Sequence, residues 1–195
     1  MITYVRPILL IAFGVLFLWG GYHRWRAESG EPINRRAEGW GLLLGIRLVA
    51  LVLFVIIIRW VWNPALVGST SVPVPEFGQW TGLAVVLAAV AWLMWMFRTL
   101  GLNITDTVVT RRAAKFVRDG PYRYVRNPMY IGLLALFSGV GLAIGNWLPP
   151  VLGSVVFTLL AIRTRIEERY LLARFPDEYA QYMREVGRFW PTWRR

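Results

Sequence analysis

The chain has 195 residues, of which 56% are hydrophobic and only 17% charged, well under the roughly 25% charge of soluble globular chains. Its net charge is +11, with no cysteine and one histidine, which excludes disulfides, thiolate metal sites and histidine-cluster metal sites; no metal is expected. The basic residues stand in a few segments flanking apolar runs, an arrangement that suits an anionic membrane leaflet and no nucleic acid.

The first apolar run, 7–22, has no small-residue cleavage pattern and reads as a membrane helix rather than a signal peptide. The second, 40–62, is long enough to span. Arg47 lies about 10 Å along it, where it either snorkels to the nearer surface or lines a polar cavity. The third run is 80–97, reached through a Pro-, Ser- and Val-rich segment, 63–79. The fourth and fifth, 129–144 and 147–162, are separated by a Gly145-Asn146 turn and are short for full crossings. Gly132, Ser138, Gly139, Gly141, Gly153 and Ser154 predict close helix contact there. Pro149 and Pro150 suit the first turn of the fifth helix.

The remaining 163–191 reads as a helical tail. Residues 163–174 continue the fifth helix into water, Pro176 breaks it, and Asp177 is positioned to cap another. Tyr179, Tyr182, Met183 and Val186 follow helical spacing and predict one apolar face directed at the protein core. Gly187 suits its end. The expected fold is therefore all-α: one domain, 1–195, a polytopic bundle of about five transmembrane helices with a cytosolic C-terminal helical cap. Arginine-rich connections after the first and third spans, and in the tail, place the N-terminus outside and these segments in the cytosol of a bacterial inner membrane.

Two segments carry candidate chemistry. The first is Asp119-Gly120-Pro121-Tyr122-Arg123-Tyr124-Val125-Arg126-Asn127-Pro128-Met129-Tyr130. It enters the fourth helix through a proline, so free N–H groups attract negative charge. Its tyrosines offer faces to a flat ring and hydroxyls to hydrogen bonds. An interfacial belt of Tyr and Arg anchors has the same composition. In the second segment Arg163 and Glu167 are four apart on one helix face. They are either a surface ion pair or ligands to an anionic and a cationic group.

These motifs resemble the isoprenylcysteine carboxyl methyltransferase family. The resemblance rests on Gly120-Pro121-Tyr122-Arg123-Tyr124-Val125-Arg126-Asn127-Pro128-Met129-Tyr130-Ile131-Gly132, Glu167-Glu168, Phe175-Pro176-Asp177-Glu178-Tyr179 and Arg188-Phe189-Trp190-Pro191. It implies an all-helical membrane fold with a cytosolic cofactor region over 103–128 and 163–191. The cofactor it implies is S-adenosyl-L-methionine, released as S-adenosyl-L-homocysteine. The resemblance assigns Lys115, Phe116, Val117, Tyr122, Asn127, Pro128, Met129, Tyr130 and Glu167 to the cofactor, and Arg163 to the substrate. The family usually has His where this chain has Asn127. Asn-Pro-Met-Tyr followed by a distant Glu-Glu is similar instead to phosphatidylethanolamine N-methyltransferases of the same superfamily.

The expected substrate is a membrane lipid, with N-methylation of phosphatidylethanolamine as the leading reading. An ammonium must lose a proton before attacking, so a base is needed; Glu168, a tyrosine or His23 would serve. The alternative is carboxyl O-methylation of an isoprenylcysteine-like acid, which is already ionised and needs none. A non-catalytic lipid-binding membrane protein is the reading from another class.

Overall fold

The computed structural model describes residues 2–28, 40–63, 68–101 and 116–192. Among them lie six α-helices: α1 (Ile2–Glu28), α2 (Trp40–Trp62), α3 (Glu76–Leu100), α4 (Pro128–Ile144), α5 (Leu148–Arg174) and α6 (Pro176–Glu185), with a short 3-10 turn at Gly120–Arg123. Three helices are long and apolar enough to cross a bilayer: Tyr4–Ala27 of α1, Glu76–Leu100 of α3 and Leu148–Arg174 of α5. α4 is a shorter apolar helix of 17 residues. The second run forms its expected helix, α2, but the side chain of Arg47 lies outside the described residues.

Several helices outrun the apolar segments that announced them. α1 extends past 7–22 at both ends, and α3 past 80–97. Hydropathy stops at the first polar residue, whereas the i to i−4 hydrogen-bond ladder continues through charged flanks, which solvate themselves at the interface. Exposed tryptophans mark both ends of the bundle. Trp62, Trp80 and Trp147 stand at one end, and Trp25 and Trp95 at the other, where indole rings suit the bilayer–water boundary.

α3 is the central helix, packed against α4 and α1, while α5 packs on α4 and α2. The core joins Val5, Leu9 and Ala12 of α1, Leu83, Val86, Val90, Leu93 and Met96 of α3, and Leu136 and Val140 of α4. α3 and α4 cross with their backbones almost in contact. A Cβ on Gly82 would collide with the Ala143 backbone nitrogen, and one on Gly139 would lie 2.9 Å from the Gly82 carbonyl. Of the small residues expected at helix contacts, Gly132, Gly139, Gly141 and Gly153 are buried, but Ser138 and Ser154 are exposed. Ser154 instead donates to the Pro150 carbonyl of its own helix, 2.8 Å away.

Gly139→Val should therefore cost about 1–3 kcal/mol through overpacking, while Ser138→Ala on the same helix should stay within about 0.5 kcal/mol. Circular-dichroism melts in detergent would show the first variant unfolding earlier. Equal melts for both would contradict the backbone crossing.

The Gly145-Asn146 turn forms as expected. Gly145 takes the left-handed conformation, φ +61°, which glycine adopts without a Cβ penalty, and Asn146 N–H closes on the Gly141 carbonyl at 2.8 Å. Segment 70–72 pairs with this turn, with Val72 N–H on the Gly145 carbonyl at 2.8 Å. That is the end of the bundle opposite the start of α4.

The tail differs in one detail. Pro176, not Asp177, opens α6, and Phe175 holds the cap position without a side-chain bond. Proline's fixed φ and missing N–H suit the first helical position, which leaves Asp177 inside the first turn, favourable to the helix dipole. The expected apolar face is buried inward: Tyr179, Tyr182 and Val186 pack with Phe116, Leu171, Phe175 and Met183.

Candidate active site

The C-terminal end of α3, the start of α4, the polar end of α5 and the tail after α6 converge at one end of the bundle. Gly120 opens the 3-10 turn with Pro121 behind it, and Val125 beyond it forms an isolated parallel bridge with Gly187. The tail lies alongside. Arg126 N–H donates to the Gly187 carbonyl at 2.9 Å and Asn127 N–H to the Arg188 carbonyl at 3.1 Å. Pro128 is the first residue of α4, and its carbonyl accepts from the Trp92 indole N–H of α3 at 2.9 Å. The helix start is thus tied to α3 on one side and to the tail on the other.

Tyr130, in the first turn of α4 and 4% exposed, directs its ring back toward the helix start. Its hydroxyl donates to Glu167 Oε2 on α5 at 3.0 Å. Arg163 Nε lies 3.0 Å from Glu167 Oε1. The i, i+4 pair of the sequence is therefore half of a three-residue cluster spanning two helices.

Glu168 is one residue on, about 100° round the helix, and has other partners. It is 5% exposed, and Arg188 grips it bidentately, Nε at 3.1 Å from Oε1 and Nη2 on Oε2. Arg126 Nη1 adds a contact of 3.2 Å to Oε1. A buried carboxylate needs such compensation. Both oxygens are engaged by guanidinium groups, an arrangement that suits a clamp joining the tail to α5.

The other expected site residues divide into two groups. Tyr122 faces the same cluster: burial pushes its phenol above the ordinary tyrosine range, with Tyr182 and Glu167 adding to the shift. Met129 packs between the main core and the cluster of Tyr130, Val156 and Leu160. Asn127 turns its amide to the Arg188 carbonyl, 3.1 Å away, and so makes no side-chain cap for α4. Phe116 belongs to the aromatic packing of α6, stacked on Phe175 with ring centroids 5.8 Å apart and edge-on to Tyr182 at 5.1 Å. Val117 follows it, half-buried. Lys115 and the rest of 103–115 lie outside the described residues. His23 is buried on α1, its ring edge-on to Trp19 and Tyr22.

Residue-level reading missed the partners. Tyr182 donates to the Tyr122 carbonyl at 2.6 Å, and Arg126 and Arg188 neutralise Glu168. A buried acid calls for a cation, but with 22 Lys and Arg in the chain nothing local selects these two. The phenols of Tyr122, Tyr179 and Tyr182 are all raised, burial being the largest cause for each. In the unfolded chain they ionise near about 10, so above that pH the folded state holds more protons. Stability should be level in pH through neutrality and fall as pH climbs past about 10. Denaturation midpoints against pH, read with tyrosinate absorbance, would show it; a folded protein whose tyrosines all titrate normally would refute it.

The helical membrane bundle matches a known class. A family model described as phospholipid methyltransferase matches residues 77–178. The chain belongs to that family, within the superfamily of integral-membrane, S-adenosylmethionine-dependent methyltransferases. It is 38% identical to a protein-S-isoprenylcysteine O-methyltransferase of Schizosaccharomyces pombe over 44% of this chain and 38% of the relative. It is 30% identical to a methanethiol S-methyltransferase of Pseudomonas deceptionensis over 88% of this chain and 64% of the relative. The chain thus spans less than two thirds of the length of both. The solved structure of a eukaryotic intramembrane Ras methyltransferase, isoprenylcysteine carboxyl methyltransferase, superposes with TM-score 0.56 at 23% identity, covering 82% of this chain and 54% of that one, and shares its fold.

Proposed function

We propose that this chain transfers a methyl group from S-adenosyl-L-methionine to the carboxylate of an isoprenylcysteine-like acid at the membrane surface. The supporting observation is the meeting of α4 and α5 through Tyr130, Glu167 and Arg163, beside a Glu168 carboxylate held by Arg188 and Arg126. Such a site positions reactants among three guanidinium groups, Arg126, Arg163 and Arg188. That favours an acceptor that is an anion at neutral pH, as a carboxylate is. N-methylation of phosphatidylethanolamine, the leading expectation from the sequence, requires a base and is the less favoured reading here.

The residues fit the cofactor. Glu167 offers a carboxylate to ammonium or ribose hydroxyl groups, Tyr122 and Tyr130 offer phenols and ring faces, and Arg126 Nε is buried without an acceptor among the described residues. When bound, the cofactor supplies an electrophilic methyl group on a sulfonium. Glu167 then orients the bound nucleotide and Tyr130 holds Glu167. Arg163, 12% exposed in its side chain, orients the acceptor carboxylate. Burial excludes water from the displacement, and alignment does most of the catalytic work. We further propose five crossings, with this end of the bundle in the cytosol because the basic segments collect there.

Transfer to a thiolate is the second reading, because the methanethiol S-methyltransferase relative aligns with 88% of the chain. Purified protein with methyl-labelled cofactor separates the possibilities. N-acetyl-S-farnesylcysteine should gain an alkali-labile methyl ester. Alkali-stable label in methanethiol instead would select the second reading, and label in phosphatidylethanolamine would reject both.

A further inference from the structure

The tail after α6 does more than close the fold, because it carries an aromatic ring into the seam between α4 and α5. Phe189 lies with its ring centroid 6.2 Å from Tyr130 and 5.1 Å from Phe157. It packs against Tyr130 of α4 and Val156 and Leu160 of α5, a cluster that Val49 of α2 also joins. Tyr130 therefore has a polar side, its hydroxyl on Glu167, and an apolar side walled by Phe189.

The ring is held by its neighbours. Arg188 is fixed at both ends, its guanidinium on Glu168 and its carbonyl on the Asn127 backbone and amide. An adjacent residue on so constrained a backbone is preorganised. An acceptor whose nucleophile reaches the Tyr130–Glu167–Arg163 cluster must lay its hydrocarbon part along an adjoining apolar surface. The seam of α2, α4 and α5 meets the cluster at Tyr130, and Phe189 is the ring set into it.

We propose that Phe189 is a specificity-determining residue, the wall of an apolar acceptor subsite whose size sets how long a hydrocarbon chain is accepted. This rests on the methyltransferase reading above. Replacing the ring by a methyl group opens the wall, and enlarging it closes the seam further. Pocket-volume changes of this kind are worth about tenfold or more in relative kcat/KM.

The test measures kcat/KM for N-acetyl-S-prenyl-, S-geranyl- and S-farnesylcysteine, and for methanethiol, butanethiol and octanethiol, in the wild type, Phe189→Ala, Phe189→Leu and Phe189→Trp. S-adenosylhomocysteine affinity is measured in parallel. In whichever series accepts label, the long-to-short ratio should rise by about tenfold in Phe189→Ala, rise less in Phe189→Leu and fall in Phe189→Trp. Cofactor affinity should stay within about twofold, which separates a subsite wall from a merely structural residue. Phe189→Leu keeps the test open should the alanine variant fold poorly. A ratio unchanged across the folded variants, with cofactor binding intact, would overturn the subsite while leaving the enzyme reading in place. A wild type that binds no S-adenosylhomocysteine, or methylates neither series, would overturn both.

Discussion

Glu167→Ala is expected to weaken S-adenosylhomocysteine binding by roughly 30- to 150-fold, which is about 2–3 kcal/mol, the range for lost hydrogen bonds to a charged group. The substitution removes the acceptor for the Tyr130 hydroxyl and the partner of Arg163 together. Both groups lose that contact, in addition to any contact the carboxylate makes with the nucleotide. Glu167→Gln keeps a neutral acceptor and should fall between the alanine variant and the wild type. The measurement is isothermal titration in detergent micelles. Affinity in Glu167→Ala within threefold of wild type would remove Glu167 from the cofactor site.

The neighbouring residue should behave in the opposite way. Glu168→Ala is expected to lose about 3 kcal/mol of stability, the low end for breaking a buried ion pair, because Arg188 retains 36% of its side-chain exposure and is partly solvated. Arg126, whose side chain is only 8% exposed, bears most of the penalty. Loss of the clamp frees the tail from α5, so the expected signature is a lower melting midpoint and earlier proteolysis after Glu185. In folded protein at low temperature, cofactor affinity should remain within a few-fold of wild type. A Glu168→Ala protein as stable as wild type but unable to turn over would make Glu168 a chemical participant and would falsify the clamp. Consecutive glutamates have different neighbours, Tyr130 and Arg163 for one and Arg188 and Arg126 for the other, because a helix turns about 100° per residue.

That division shows where sequence reading works and where it stops. The apolar runs, the Gly145 turn, the continuation of α5 through residues 163–174 and the inward face of α6 all follow from local periodicity and backbone preference, which act over a few residues. The pairing of Arg163 with Glu167 is legible for the same reason. The proline entrance to α4 is likewise local, and it puts the tyrosine-rich segment at one end of an apolar helix. The exposed sides of Ser138 and Ser154 were not legible, because small residues suit helix contact and lipid exposure alike until the neighbouring helix is placed. Gly82 stood in a run that looked only hydrophobic, and its importance emerges when α4 crosses it.

Local patterning is enough to specify a basic, tryptophan-rich helical membrane protein, its helices and two polar segments able to do chemistry. Which of those polar groups face each other is set by the folded bundle. It brought Tyr130 to Glu167 across 37 positions of chain, set Arg188 and Arg126 on Glu168, and laid Phe189 into the seam between α4 and α5. The physical reason is range. Helix formation and hydrophobic burial are written in neighbouring residues, whereas the partner of a buried charge or the wall of a pocket is fixed by how whole helices pack.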